Sequence, residues 1–560
     1  MTGTISRRGA LAGMAGGAAL ASLPGEALAG QEPVSRLFRH GVASGDPAVD
    51  SVVLWTRASL EKAGPVEWEL ADNPGFAGTV RRGTFQTGPE RDFTVKPVVD
   101  GLTPGGTWYY RFRADGEMSE TGRARTLPAG HVESLGIALV SCSNFAFGFF
   151  NAYDAIASDA EVDFVLHTGD YIYEYGADGW GGDVARRLGR VHEPHHEIVS
   201  LADYRRRHAQ YKADADSRAM HAAHTLMSCW DDHESTNNPW VGGAQNHQPE
   251  TEGDWAARRE ASIRAYYEWM PVREPGPGRS RAQFWRGYSF GDLATLFTLE
   301  TRHTARAEQI DYAGWDKRIA SQADADALLR ETVGAPGRAM LAGELEADLE
   351  SALAASVRGG QPWRLIGNPM PIARTRVPDV VRLGLVADPA SAADLSDDAR
   401  VLAFKGKWNL PFYPDTWDGY EWARERLYGL SRRAGAGDLI FLTGDSHSFW
   451  ANRLADGTGR AAGVELGTAG VTSPGDFITS GFGADVSVRL DRAFEAHNPE
   501  VVWTDNMHQG YVRLNLRHDG ARTAFVAVDT VTSRAYRTRV LRRFGLVRRK
   551  GQVAFVPLAG

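Results

Sequence analysis

The sequence predicts an α/β protein preceded by a smaller all-β portion. Residues 36–127 read as alternating strands with no helical period, while beyond about residue 130 apolar runs alternate with helical stretches. A further pattern lies where the apolar runs end. LGIALVSC (135–142), VLHTGDYIYEYG (165–176), MSCWDDHESTNN (227–238) and LIFLTGDSHSFW (439–450) each pass abruptly from β-prone residues into Cys, Asp, His or Tyr. In an open α/β sheet the carboxyl ends of the strands face a common crevice, so these side chains are expected to converge. Carboxylate, phenolate, thiolate and imidazole together suit a multinuclear metal centre better than any requirement of the fold.

Residues 1–29 read as a twin-arginine export signal. Ser6-Arg7-Arg8 precedes a weakly apolar Gly/Ala stretch (9–23) and an A-x-A cleavage site, Ala27-Leu28-Ala29. This predicts a mature chain from Gly30, delivered through the twin-arginine machinery to the periplasm or medium. That route carries proteins already folded, often around a cofactor. The apolar stretch is too short for an anchor, and no later run reaches the roughly 20 residues of a membrane span.

From 30 to 129, SVVLWTRA (51–58), VEWELA (66–71) and TWYYRFRADG (107–116) alternate as half-buried strands do. The turn Leu102–Gly106 ahead of Trp108-Tyr109-Tyr110 resembles the late corner of a fibronectin-III/Ig-like sandwich. A separate sandwich domain is therefore expected, and it offers no cluster of metal-binding side chains. Pro128-Ala129-Gly130 reads as a linker, 130–545 as the α/β domain and 546–560 as a tail. Residues 200–224 read as a helix with Ser200 at its N-cap and Asp203 in its first turn. Another long helix is expected from near Gly337 to 357, and 315–340 and 374–400 as insertions on the sheet.

With 560 residues, 43% hydrophobic and 24% charged, the chain has the composition of a soluble globular protein with a large core. A formal net charge of −8 argues against a nucleic-acid surface. Two cysteines exclude a disulfide scaffold.

The order Cys142, Gly169-Asp170-x-x-Tyr173, Asp232-His233-Glu234 and Gly444-Asp445-Ser446-His447 resembles the calcineurin-like metallophosphoesterases. Its G-D-x-x-Y is the purple-acid-phosphatase form of the bridging-aspartate motif. The PhoD-type alkaline phosphatases are the nearest match, sharing RHGVASGDP…SVVLWTR (39–57), SCSN…GFFNAY (141–153), HTGDYIYEYG (167–176), WDDHE..NN (230–238) and TGDSHSFW (443–450). Five motifs in order cover nearly the whole mature chain. The resemblance implies a metallophosphoesterase sandwich of two mixed sheets flanked by helices. It also implies iron paired with one or two calcium ions.

Cys142, Asp170, Tyr173 and His447 suit a trivalent iron, with Asp170 bridging to an ion held by Asp232 and Asp445. Purple acid phosphatases have Asn and His at those last two positions; carboxylates make this site hard and favour calcium over zinc. Asn238, or its neighbour Asn237, is expected near a further calcium, and Asn368 in LIGNPMP (365–371) is expected to stand in for an absent histidine. By the same resemblance His233 contacts phosphate or the leaving group, and Arg273 lies near the phosphate. Asp231 is open between support of a ligand and strand-end solvation. Cys229 is expected in the core, and His192–His196 at the surface or rim.

The implied reaction is hydrolysis of a small phosphate ester by metal-bound hydroxide, with His233 assisting the leaving group. A phosphodiesterase or phospholipase-D-like activity on the same site is the nearer alternative, and a secreted non-enzymatic binding protein the more distant one.

Overall fold

The computed structural model describes residues 35–558 apart from 313, 393 and 394. The export signal and the cleavage point before Gly30 lie outside the described residues.

Two large mixed sheets share one core. The first has 11 strands. Ser134–Val140, Phe164–His167 and Thr225–Ser228 run parallel at its centre, Gln509–Arg517 lies antiparallel beside Ser134–Val140, and Gly520–Val528 is antiparallel to Gln509–Arg517 in turn. The second has 7 strands, among which Ala294–Thr298, Trp363–Asn368, Leu439–Thr443 and Ala461–Gly467 are parallel.

Period-two alternation explains why the central strands read as unbroken apolar runs: both of their faces are covered. Ile137 and Leu139 point into the core between the sheets, while Ala138 and Val140 meet the outer helices. In the second sheet Ile440 and Leu442 face the shared core, and Leu439 and Phe441 face the opposite helical layer. Helices Asn151–Ala157, Leu201–Ala213, Ala215–Ala223 and Trp255–Trp269 supply the first outer layer, and Gly343–Arg358 and Glu421–Arg433 the second.

The expected helix at 200–224 is two helices broken at Asp214. A capping box between Ser200 and Asp203 starts the first. Asp214, extended at ψ 137, caps the second through the backbone N–H groups of Asp216 and Ser217. The later helix begins at Gly343, not near Gly337, because 334–342 is consumed by turns after the π-turn Leu329–Val333.

The N-terminal portion does not close into a sandwich of its own. Gly64–Ala71, Val80–Thr87, Thr107–Ala114, Glu117–Met118 and Gly122–Arg125 form a 5-stranded sheet. The layer beneath it, Val42–Gly45 with Val52–Arg57, is an extension of the first large sheet. Ser44 pairs in parallel with Thr225, and their hydroxyls lie 3.0 Å apart. Val52, Leu54, Val66, Leu70 and Phe112 fill the space between the layers. Alternation reveals a strand but not its partner, so the sharing of a sheet was invisible in the sequence. Residues 546–558 are likewise not a tail, since Gln552–Val556 pairs with Thr538–Arg549 at the sheet edge.

Candidate metal centre

The carboxyl ends of the two sheets meet. An isolated parallel bridge between Ser141 and Gly470 ties the loop after Ser134–Val140 to the second sheet. Each aspartate of the two G-D pairs follows a glycine that has no room for a side chain. A Cβ on Gly169, at φ +101°, would lie 2.4 Å from the backbone of Asp231, and one on Gly444 would lie 2.3 Å from Ser141 Oγ. The loops can therefore approach closely enough for Asp170 and Asp445 to enter one crevice. Cys142, Asp170, Asn238, Asp445 and His447 all take left-handed backbone at φ 50–65°. Non-glycine residues adopt it rarely, and its concentration here marks strain tolerated for side-chain placement.

Cys142, Asp170, Tyr173, Asp232, His233 and His447 are buried together, with Asp445 beside them. Ligand atoms of Cys142, Asp170 and His447 lie within 4.8 Å of one another, as do those of Asp170, Asp232 and His233, and those of Asp231, Asp232 and Asp445. Asp170 is common to the first two groups. Its Oδ2 accepts from Cys142 Sγ (3.3 Å) and Tyr173 OH (3.2 Å), and its Oδ1 from the backbone N–H of His233 (3.3 Å). Tyr173 OH is 3.3 Å from His447 Nε2 and accepts from Ser473 Oγ at 2.9 Å. Asn238 reaches the same place by its backbone, donating to Asp232 Oδ2 at 2.9 Å.

The electrostatics fit a cation. Burial, then the Asp232 charge, pushes Asp170 well above the carboxylate range, and burial with Asp231 does the same to Asp445. Burial and Asp170 raise the Cys142 thiol and the Tyr173 phenol. Burial lowers His447 to about 3, leaving a neutral imidazole. At His233 burial opposes the charge, but Asp232, Glu174 and Asp170 outweigh it and raise the pKa. Asp231 Oδ2, Asp232 Oδ1 and His447 Nδ1 are buried without a hydrogen-bond partner. Buried carboxyl groups and a free imidazole nitrogen at this density are what bound metal ions satisfy. Thiolate, phenolate and imidazole on one side of Asp170 and carboxylates on the other fit a soft-tolerant ion and a hard one.

Three contributors were given no role from the sequence. Arg302 is fully buried, with Nε 2.6 Å from Asp231 Oδ1 and Nη2 3.7 Å and 3.6 Å from Asp232 and Asp445. Its signal was present: TLFTLETRH (295–303) also ends a strand in polar residues. Glu174 accepts from His233 Nδ1 at 2.6 Å. Glu234 accepts from the backbone N–H groups of Asp170, Tyr171 and Asp231 at 3.0, 2.6 and 2.8 Å, fixing both loops. Asp231, left open above, supports through Arg302.

Two expected residues are employed elsewhere. Arg273 bonds to Asp46 through its backbone N–H (2.8 Å) and Nε (3.0 Å) and to Ser51 through Nη2 (3.1 Å), so it braces the N-terminal layer rather than the crevice. Asn368 accepts from Trp417 Nε1 at 3.1 Å and donates to the Met370 carbonyl at 2.6 Å, which occupies both ends of its amide. Cys229 is buried and free, as is Cys142. In the 192–196 segment His192 is buried against Tyr211, and exposed His196 pairs with Asp203.

The family model for PhoD-like phosphatases matches residues 137–525, and that for their N-terminal domain matches 25–128. The chain belongs to the PhoD-like phosphatase family. It is 32% identical over 534 residues to alkaline phosphatase D of Bacillus subtilis (strain 168), covering 91% of this chain and 81% of that protein. A solved structure of PhoD superposes with a TM-score of 0.74 at 28% identity, covering 95% of this chain and 94% of the other. This PhoD-like enzyme is thus a phosphoric ester hydrolase.

Proposed function

We propose that the protein is an exported phosphatase of the alkaline phosphatase type. In this reading Cys142, Asp170, Tyr173 and His447 hold a ferric ion, and Asp170, Asp232 and Asp445 hold calcium with Asn238 alongside. The observation that carries it is the position of Asp170, shared between the Cys142–His447 group and the Asp232–His233 group, with Asp232 in turn shared with Asp231 and Asp445. When bound, the ions supply Lewis acidity that activates water and neutralises phosphoryl charge.

The chain's own groups do the rest. Glu174 accepts from His233 Nδ1 and fixes the orientation of the ring, which leaves Nε2 as the nitrogen available to a leaving group. Tyr173 stacks on His233 at 4.2 Å and 28°, which holds the imidazole plane. Arg302 compensates the carboxylates Asp231, Asp232 and Asp445 from behind.

Chelating calcium from the purified enzyme should abolish turnover of phosphate esters while iron stays bound, and added calcium should restore it. Paired monoester and diester kinetics define which ester class the crevice prefers. Full activity with zinc alone, or no turnover of either class, would overturn the assignment.

Export is supported by Arg7-Arg8 and Ala27-Leu28-Ala29. Changing both arginines to Lys is expected to leave unprocessed precursor in the cytoplasm, as fractionation and blotting would read. Normal export of that variant removes the twin-arginine route.

A further inference from the structure

At the opposite pole of the sheets three turns meet. The register of Ser134 with Arg517 and of Ala294 with Trp363 puts the 128–133 linker, the turn at Asp292 and the turn at His518 at the ends of the strands remote from the crevice. His131 Nδ1 lies 2.9 Å from Asp292 Oδ2, and His518 Nε2 lies 3.3 Å from Asp292 Oδ1. The two imidazoles stack with centroids 5.1 Å apart and planes 15° from parallel. One donor atom from each of the three residues lies within 4.8 Å of the others.

The carboxylate is held in place before any ligand arrives. Asp292 donates its backbone N–H to the Gly130 carbonyl (2.9 Å), and its Oδ1 accepts from the Val132 backbone N–H (2.9 Å). All three side chains remain open to solvent, at 73% exposure for His131, 42% for Asp292 and 39% for His518. His518 Nε2 is also 3.1 Å from the Val132 carbonyl, the partner it exchanges when an ion binds.

We propose that His131, Asp292 and His518 form a second, peripheral metal site for a late first-row divalent ion of the zinc class. Two imidazoles and one carboxylate are a familiar donor set for such ions, which complete a tetrahedron with water. Calcium, which takes oxygen ligands, is disfavoured by the two nitrogens. His131 falls between the stretches matched by the two family models, 25–128 and 137–525, so neither includes the complete ligand set. Occupancy would clamp the linker to a turn of each large sheet. Because the ligands come from three separate turns, the ion binds the folded state selectively and stabilises it by mass action.

The test uses full-chain enzyme with its crevice metals left in place. Zn2+ titrated by calorimetry should give one more bound ion per chain in the parent than in the His131→Gln/His518→Gln double variant. Each single variant should bind that ion at least about tenfold more weakly. Added Zn2+ should raise the melting midpoint of the parent more than that of the double variant, whose phosphatase kinetics should be unchanged. Equal zinc stoichiometry and affinity in parent and double variant would overturn the site, and so would equal zinc-induced shifts in melting.

Discussion

On the proposed ferric assignment, Tyr173→Phe should yield a folded enzyme without the visible absorbance of an iron–phenolate and with nearly all its activity lost. The ring is buried and stacked on His233, and that packing survives the substitution. Only the hydroxyl goes, together with its contacts to Asp170, His447 and Ser473. Losing such a hydrogen bond costs about 1 kcal/mol, small for a core of this size. The chemical cost is much larger. If phenolate is a ferric ligand, its charge-transfer absorbance disappears and activity falls more than about hundredfold, beyond what loss of a supporting residue around a metal causes. Cys142→Ser tests the same ion from its other side, because serine is a poor replacement for a soft thiolate. Visible spectra, iron content and ester turnover should change together. Should Tyr173→Phe stay as coloured and as active as the parent, Tyr173 is only a core aromatic.

Much of the crevice was legible because strand ends are local. A run of β-prone residues followed by Gly-Asp or Asp-His identifies both the strand and the side of the sheet on which its last residue emerges. That rule marked the segments, the family resemblance singled out Cys142, Asp170, Tyr173, Asp232, His233, Asp445 and His447 within them, and the structure gathers these residues. Asn238 also lies at the crevice, where its backbone N–H meets Asp232. The two glycines preceding Asp170 and Asp445 stand out in the sequence, but their cause is tertiary, since each sits where another loop leaves no space for a Cβ.

What escaped was decided by pairings distant in sequence. Arg273 and Arg302 are both arginines shortly after an ordered element, and only tertiary placement separates them. Arg273 is claimed by Asp46, 227 residues away, while Arg302 finds Asp231 across 71. Asn368 lies at the right strand end, yet Trp417 from a distant turn takes its carbonyl. The N-terminal strands show the same limit at the level of a sheet. Val42–Gly45 is only four residues long, VASG, and nothing in it announces Thr225 as its neighbour.

Arg302→Met should be among the most destabilising single substitutions in the chain. The guanidinium is fully buried, and Asp231, Asp232 and Asp445 surround it. Burial works against its charge, but Asp231 and Asp232 outweigh burial and keep it protonated. Methionine fills most of the volume, so the loss is of charge rather than of packing. Removing one partner of a buried pair leaves the other uncompensated, at a cost of about 3–5 kcal/mol. Asp231→Asn, made alone, strands the arginine in the same way. If the two residues act as a pair, the double variant should be less destabilised than the sum of the single variants, with a coupling of about 0.5–3 kcal/mol. Thermal midpoints of the four proteins, measured at one fixed calcium concentration, complete the cycle. The metal-side carboxylates Asp232 and Asp445 remain in all four, so the coupling reports the Arg302–Asp231 pair itself. Strictly additive losses, or a nearly unchanged midpoint for Arg302→Met, would show that bound cations rather than Arg302 neutralise this cluster.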